Sequence, residues 1–279
     1  MTRVLSALVL LPVVVGTIFF LPAEATLVLA LIAAVLAFFE YRGIAAALGI
    51  AVPGLIGASG VVLTCYATWA SDDLPGRLAD GTRFGPIGSS LHLVLLSLLI
   101  VAGALSVARG RPAPGVLADV AATVFPAIYL GLPLGALAAI RLDWVGGPEV
   151  ILLLMLVIVI SDSAQYYCGR AFGRRKLSPA ISPKKTVEGA IGGVVFGTLA
   201  MTIAGHYIFR SPMWMLALLG GAISLLGIVG DLFESLLKRS AGVKDSSNLI
   251  PGHGGVLDRI DSWLFAAPVY YVFVRFLNW

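Results

Sequence analysis

Apolar runs separated by short polar breaks recur along the whole chain, at 4–21, 25–40, 53–70, 91–107, 117–140, 149–168, 190–208, 213–230 and 262–278. A helix crosses a bilayer with roughly 17–25 apolar residues. The pattern therefore predicts about nine transmembrane helices, an all-α polytopic membrane protein. Pro22, Ala23 and Glu24 alone separate the first two runs, which forces a tight hairpin. Pro126 and Pro133 fall inside 117–140. Proline removes an N–H and crowds the carbonyl four residues back, so that span is expected to be kinked, broken or partly re-entrant. A cleaved signal peptide is the weaker reading of the first run, where Arg3 precedes apolar residues and small residues follow Pro22. An uncleaved first helix keeps the topology consistent.

Composition supports the class. Hydrophobic residues make up 59% of the 279, charged residues 12%, and the mean hydropathy is +0.98, where a soluble domain is about 25% charged. The charges that remain set an orientation. The segment 169–187 carries Arg170, Arg174, Arg175, Lys176, Lys184 and Lys185 with no acid, and 237–261 carries Lys238, Arg239, Lys244 and Arg259. Both are expected on the cytoplasmic side, as basic loops are. The two spans between them make one out-and-back hairpin, in agreement. Counting back puts Arg109, Arg111, Arg42 and the N-terminus inside, and residues 71–90 outside. The pI of 9.2 then reflects topology and anionic lipid headgroups, not a nucleic-acid partner. Cys65 and Cys168 lie far apart in or near apolar runs and read as packing residues. No repeat or separate soluble domain is evident. The chain reads as one integral membrane domain, with scaffold and lipid-facing helices over 1–148 and the chemistry-bearing helices over 149–279.

Three polar constellations stand out, all in the C-terminal half. In Ser161–Arg170, Asp162, Gln165, Tyr166 and Gly169 share a helix face. Gly169 and Gly173 allow close approach by a headgroup or a neighbouring helix. In Ser182–Gly193, Thr186 is a plausible N-cap with Glu188 in the first turn, and Lys184 and Lys185 precede the helix start. Cations beside free N–H groups suit an anion; a simple capped helix at the interface is the rival reading. In the third, Asp231, Glu234, Ser235 and Lys238 form one stripe, and Asp258 and Asp261 open the last helix. A carboxylate inside an apolar span costs roughly 2.5–3.5 kcal/mol on insertion scales and needs a partner, a cation or a wet cavity. Between these acids, Pro251-Gly252-His253-Gly254-Gly255 can bring backbone close to phosphate. Acidic helix ends flanking a basic, glycine-rich loop suit a divalent cation bridging a polyphosphate, and hard oxygen ligands favour Mg²⁺ over zinc. His253 reads equally as a structural histidine or a general base.

The segment 235–261 resembles the signature of the phosphatidate cytidylyltransferases, the CDP-diacylglycerol synthases. Ser235, Lys238, Arg239, Lys244, Asp245, Ser247, Pro251, His253, Gly254, Gly255, Asp258, Arg259 and Asp261 fill its fixed places. The Ser-Pro-Lys-Lys-Thr-x-Glu-Gly run at 182–189 and the Asp162 segment are also similar, so the resemblance covers about 155–265. It implies transfer of a cytidylyl group from CTP to phosphatidic acid at the cytoplasmic face of a bacterial inner membrane. It implies Mg²⁺ on Asp231 and Asp258, with Glu234 and Asp261 as supporting or alternative ligands, and leaves room for a second, monovalent cation. Lys238, Arg239, Lys244 and Arg259 would clamp phosphates, with His253 nearby. Asp162, Lys184, Lys185, Glu188, Ser235, Gly254 and Gly255 would contact substrate. A homodimer is left open. A relative acting on an ether lipid would share the headgroup chemistry. An ion-coupled transporter would spread acids over several midplane helices, whereas here they gather at one membrane face.

Overall fold

The computed structural model describes residues 2–73, 88–108, 110, 115–142, 146–250, 252 and 254–277. Arg109, Arg111, His253 and most of the expected outer loop lie outside the described residues. The described residues are mostly helical, and each apolar run falls on helix. These are α1 (Thr2–Phe20), α2 (Ala23–Ala47), α3 (Gly54–Asp73), α4 (Gly88–Ala108), α5 (Val116–Pro126), α6 (Leu132–Ile140), α7 (Gly147–Phe172), α8 (Val187–Phe209), α9 (Met213–Ser240) and α10 (Leu257–Val272). Among the described residues, six helical stretches are long and apolar enough to cross a membrane: Ala23–Ala47, Leu91–Ala108, Val116–Ile140, Gly147–Phe172, Val187–Phe209 and Met213–Ser240.

The proline-bearing span stays helical by widening. Between α5 and α6 the residues Ala127–Gly131 form a π turn, and the N–H of Leu132 reaches back five residues to the carbonyl of Ala127. Pro126 closes α5 and Pro133 sits in the first turn of α6, where a missing N–H is harmless. The π turn is a recognised way to absorb such an interruption.

The chain divides into two compact units. The first comprises Met1–Trp144 and Ser240–Leu257; the second, Val145–Arg239 and Asp258–Trp279. In the first, α3 is the hub, packing on α2, α4, α6 and the π turn. Its contact with α6 is backbone-close. A Cβ added at Gly131 would stand 2.7 Å from the carbonyl oxygen of Val61, and one at Gly135 would stand 2.5 Å from that of Cys65. Small residues at such crossings let helices gain dispersion contact where no hydrophobic drive exists between them. Directional bonds add to it: Tyr41 Oη donates to the Ala122 carbonyl at 3.1 Å, the Ala51 N–H to Asp119 Oδ1 at 2.8 Å, and Arg141 Nε to the Ile18 carbonyl at 3.0 Å.

In the second unit α7 and α8 pack along their length. The basic connection between them, read from sequence as a loop, contains an antiparallel pair: β1 (Lys176–Ser178) and β2 (Ser182–Thr186), with Lys176 opposite Thr186 and Ser178 opposite Ser182. A π turn over Phe273–Leu277 extends α10. The fully buried Tyr270 donates its hydroxyl to the Val150 carbonyl at 2.7 Å, tying α10 to α7.

Replacing Gly135 with Val should force α3 and α6 apart, at about 1–3 kcal/mol of overpacking. The expected outcome is a melting temperature several degrees lower in detergent. An unchanged melting curve would mean the helices do not cross at this glycine.

Candidate active site

Two ion-pair clusters in the second unit gather most of the sequence-predicted acids. In the first, α7 supplies Asp162, β2 supplies Lys185, α9 supplies Asp231 and α10 supplies Asp261. Lys185 Nζ stands 2.5 Å from Asp231 Oδ2. Ser235, one turn on, directs its hydroxyl at Asp231 Oδ1 from 3.4 Å, and Gln165 Nε2 donates to Asp162 Oδ1 at 2.9 Å. Asp261 Oδ1 accepts the Ser262 N–H at 2.7 Å. The three aspartates lie within electrostatic reach of Lys185 and of Asp231 in common. Helices α9 and α10 meet here because residue 230 is glycine: a Cβ there would sit 2.5 Å from the Asp261 carbonyl oxygen.

The second cluster centres on Lys238. Its ammonium pairs with Glu234, one turn back on α9, and with Asp258 at the start of α10. All three are well buried: the side chain of Glu234 is 1% exposed, that of Asp258 6% and that of Lys238 11%. Glu234 Oε1 is buried and accepts no hydrogen bond among the described residues. Carboxylates outnumber ammoniums in both clusters, three to one and two to one. The second cluster is buried, whereas in the first Asp162 is exposed and Asp231 half-buried.

The Ser182–Gly193 motif has a defined local structure. Thr186 caps α8, its Oγ1 accepting the Gly189 N–H at 3.2 Å. A Cβ at Gly169 would lie 2.9 Å from that Oγ1, so the close approach expected at Gly169 is made by the start of α8. Glu188 turns its carboxylate back onto the chain, accepting the N–H groups of Arg174 at 3.0 Å and Arg175 at 3.2 Å. This ties the hairpin's entry to the start of α8. Lys184, Arg239, Lys244 and Arg259 are exposed.

The glycine-rich segment belongs to the first unit. Gly252 and Gly254 have φ of 78° and 79°, which side chains rarely adopt, and the Ile250 N–H donates to the Gly254 carbonyl at 2.8 Å. Gly255 is buried. Sequence reasoning missed one residue here. Glu40, near the end of α2, is buried and takes its hydrogen bonds from this segment. A carboxylate closing an apolar run was the available signal, the same that singled out Asp231 and Glu234.

The sequence profile described as the cytidylyltransferase family matches residues 1–277. The chain belongs to the cytidylyltransferase family. Among similar proteins is the uncharacterized protein YnbB of Escherichia coli K12, 37% identical over 76% of this chain and 74% of its own length. The phosphatidate cytidylyltransferase of Synechocystis is 48% identical over 47% of this chain and 45% of its own. That of Staphylococcus haemolyticus is 40% identical over 54% of this chain and 57% of its own. The chain thus spans about half the length of these last two relatives.

As to a metal, no three His, Cys, Asp or Glu side chains among the described residues are set to ligate one ion by themselves. Mg²⁺ is usually held through one or two carboxylates and substrate phosphates, not by an all-protein cage. The carboxylate oxygens of Asp231 and Asp261 are hard donors that fit such an ion.

Lys238→Met should leave Glu234 and Asp258 buried without their cation, a loss of about 3–5 kcal/mol when one partner of a buried pair is removed. The exposed Arg239→Met should leave the melting temperature near wild type. Equal melting temperatures for the two variants would remove Lys238 from the fold's charge balance.

Proposed function

We propose that this chain transfers a cytidylyl group from CTP to phosphatidic acid, giving CDP-diacylglycerol and pyrophosphate. The complete signature between Ser235 and Asp261 carries the reading, in a chain that matches the family from 1 to 277. The curated relatives from Synechocystis and Staphylococcus haemolyticus bear that name.

A phosphate oxygen of phosphatidic acid attacks the α-phosphorus of CTP, and the bond from that phosphorus to the bridging oxygen breaks. The phosphate is already a competent nucleophile, so no strong base is needed. What the protein supplies is in-line alignment and stabilisation of charge on the leaving pyrophosphate. Lys184, Lys185, Arg239, Lys244 and Arg259 serve as phosphate contacts, and Asp162 orients Gln165 beside them. Lys238 is held by Glu234 and Asp258 as a fixed cation. Asp231 and Asp261, grouped with Asp162 around one lysine, are the acids we assign to Mg²⁺, in place of the expected pair Asp231 and Asp258, because Asp258 pairs with Lys238. That ion, when bound, neutralises phosphate charge.

The reading includes nine spans, with α1, α3 and α10 plus its π extension added to the six stretches long and apolar enough to cross. It places the N-terminus and the site on the cytoplasmic face of a bacterial inner membrane. Support comes from the lengths of α1 and α3, 19 and 20 residues, and from the basic loops 169–187 and 237–261.

Purified protein given labelled CTP, phosphatidic acid and Mg²⁺ should form a lipid-linked cytidine product with one pyrophosphate per product. Asp231→Asn should lower that rate at least tenfold. Absence of product from wild type would overturn the activity, and a wild-type rate for Asp231→Asn at limiting Mg²⁺ would remove Asp231 from the metal. Cysteines at 175 and 245, in a background without Cys65 and Cys168, should resist an impermeant thiol reagent in intact cells. Labelling at 245 from outside would overturn the orientation.

A further inference from the structure

Glu40 is 7% exposed on α2, and both its oxygens are committed to residues more than two hundred positions away. Oε1 accepts the Ser247 hydroxyl at 2.7 Å and the Val256 N–H at 2.9 Å; Oε2 accepts the Ser246 hydroxyl at 2.9 Å and the Leu257 N–H at 2.8 Å. Each oxygen thus takes one hydroxyl and one backbone amide. The fit is tight. A Cβ at Gly255 would stand 2.3 Å from Glu40 Oε2 and 2.0 Å from Ser246 Oγ, so the backbone can wrap the carboxylate only where residue 255 lacks a side chain. The four donors bracket the glycine-rich part of the signature, two before it and two after.

We propose that Glu40 is the positioning residue of the signature segment, fixing Ser246 and Ser247 on one side and Val256 and Leu257 on the other, and so the backbone of Gly254 and Gly255. The proposal rests on the reading that this segment serves cytidylyl transfer. Only a carboxylate meets all four donors, because an ionised carboxyl is acceptor-only on both oxygens. In Glu40→Gln one oxygen becomes an NH₂. A serine hydroxyl can turn to accept from it, but a backbone N–H cannot, so one amide of the pair Val256 and Leu257 faces another donor. Glu40→Asp withdraws the carboxylate by one methylene and loses reach to both.

The test uses the full-length protein in detergent and measures three properties of Glu40→Gln and Glu40→Asp: kcat/KM with CTP and phosphatidic acid, tryptic cleavage after the exposed Lys244, and the melting temperature. Both variants should lose at least tenfold in kcat/KM and gain at least tenfold in cleavage rate at Lys244, with melting within a few degrees of wild type. Glu24→Gln, at the exposed start of α2, should match wild type throughout. A wild-type kcat/KM in Glu40→Gln overturns the proposal, as does a lost rate with unchanged cleavage. If neither Glu40 variant folds, Ser246→Ala with Ser247→Ala decides, since it removes two of the four bonds from the loop side; it should raise cleavage at Lys244, and wild-type cleavage would overturn the proposal. If wild type makes no lipid-linked cytidine, the functional reading fails, while the cleavage contrast still reports on Glu40's hold.

Discussion

Every acid buried in this apolar chain has to be matched by positive charge or by hydrogen-bond donors, because an uncompensated carboxylate away from water is too costly to keep. The protein meets the requirement in three ways. Lys238 lies between Glu234 and Asp258. The half-buried Asp231 meets Lys185, with the half-buried Asp261 and the exposed Asp162 in electrostatic reach. Glu40 has two amides and two hydroxyls and, among the described residues, no cation. In the first two, carboxylates outnumber ammoniums. In the third, four donors converge on one carboxylate.

The helices are arranged to deliver these groups. On α9, Asp231, Glu234, Ser235 and Lys238 recur at helical spacing and present one stripe. Gly230 lets α10 approach that stripe, bringing Asp258 to Lys238 and Asp261 toward Asp231. The strand pair β1–β2 and the Thr186 cap direct Lys185 toward the same stripe, and Glu188 fastens the hairpin to the start of α8. Much of the polar hydrogen bonding thus fixes the backbone that bears the charges, while the apolar helices form the body of each unit.

The helical pattern was legible because lipid imposes long apolar runs, and all of them fall on helices. The cap at Thr186 was legible because it depends on residues three apart. The grouping of Asp231 with Lys185 was not, since their partnership depends on how α9 meets the strand β2 rather than on spacing within one element. The strand pair was hidden by short strands of mixed polarity, whose pairing a basic, proline-containing loop does not advertise. Pro126 and Pro133 marked an interruption, but its resolution as a π turn follows from packing around α3. Glu40 escaped notice because its partners come from the other end of the chain, although its position in an apolar run raised the question its hydrogen bonds answer.

We propose that the acids around Lys185 hold a divalent ion together with the phosphates of CTP. Mn²⁺ binding to the purified protein, followed by electron paramagnetic resonance with and without CTP, tests it most directly. The account predicts that CTP strengthens Mn²⁺ binding to wild type at least tenfold, and that Asp231→Asn and Asp261→Asn each abolish the gain while Glu24→Gln keeps it. Mn²⁺ binding that is indifferent to CTP, or unchanged in both aspartate variants, would contradict it.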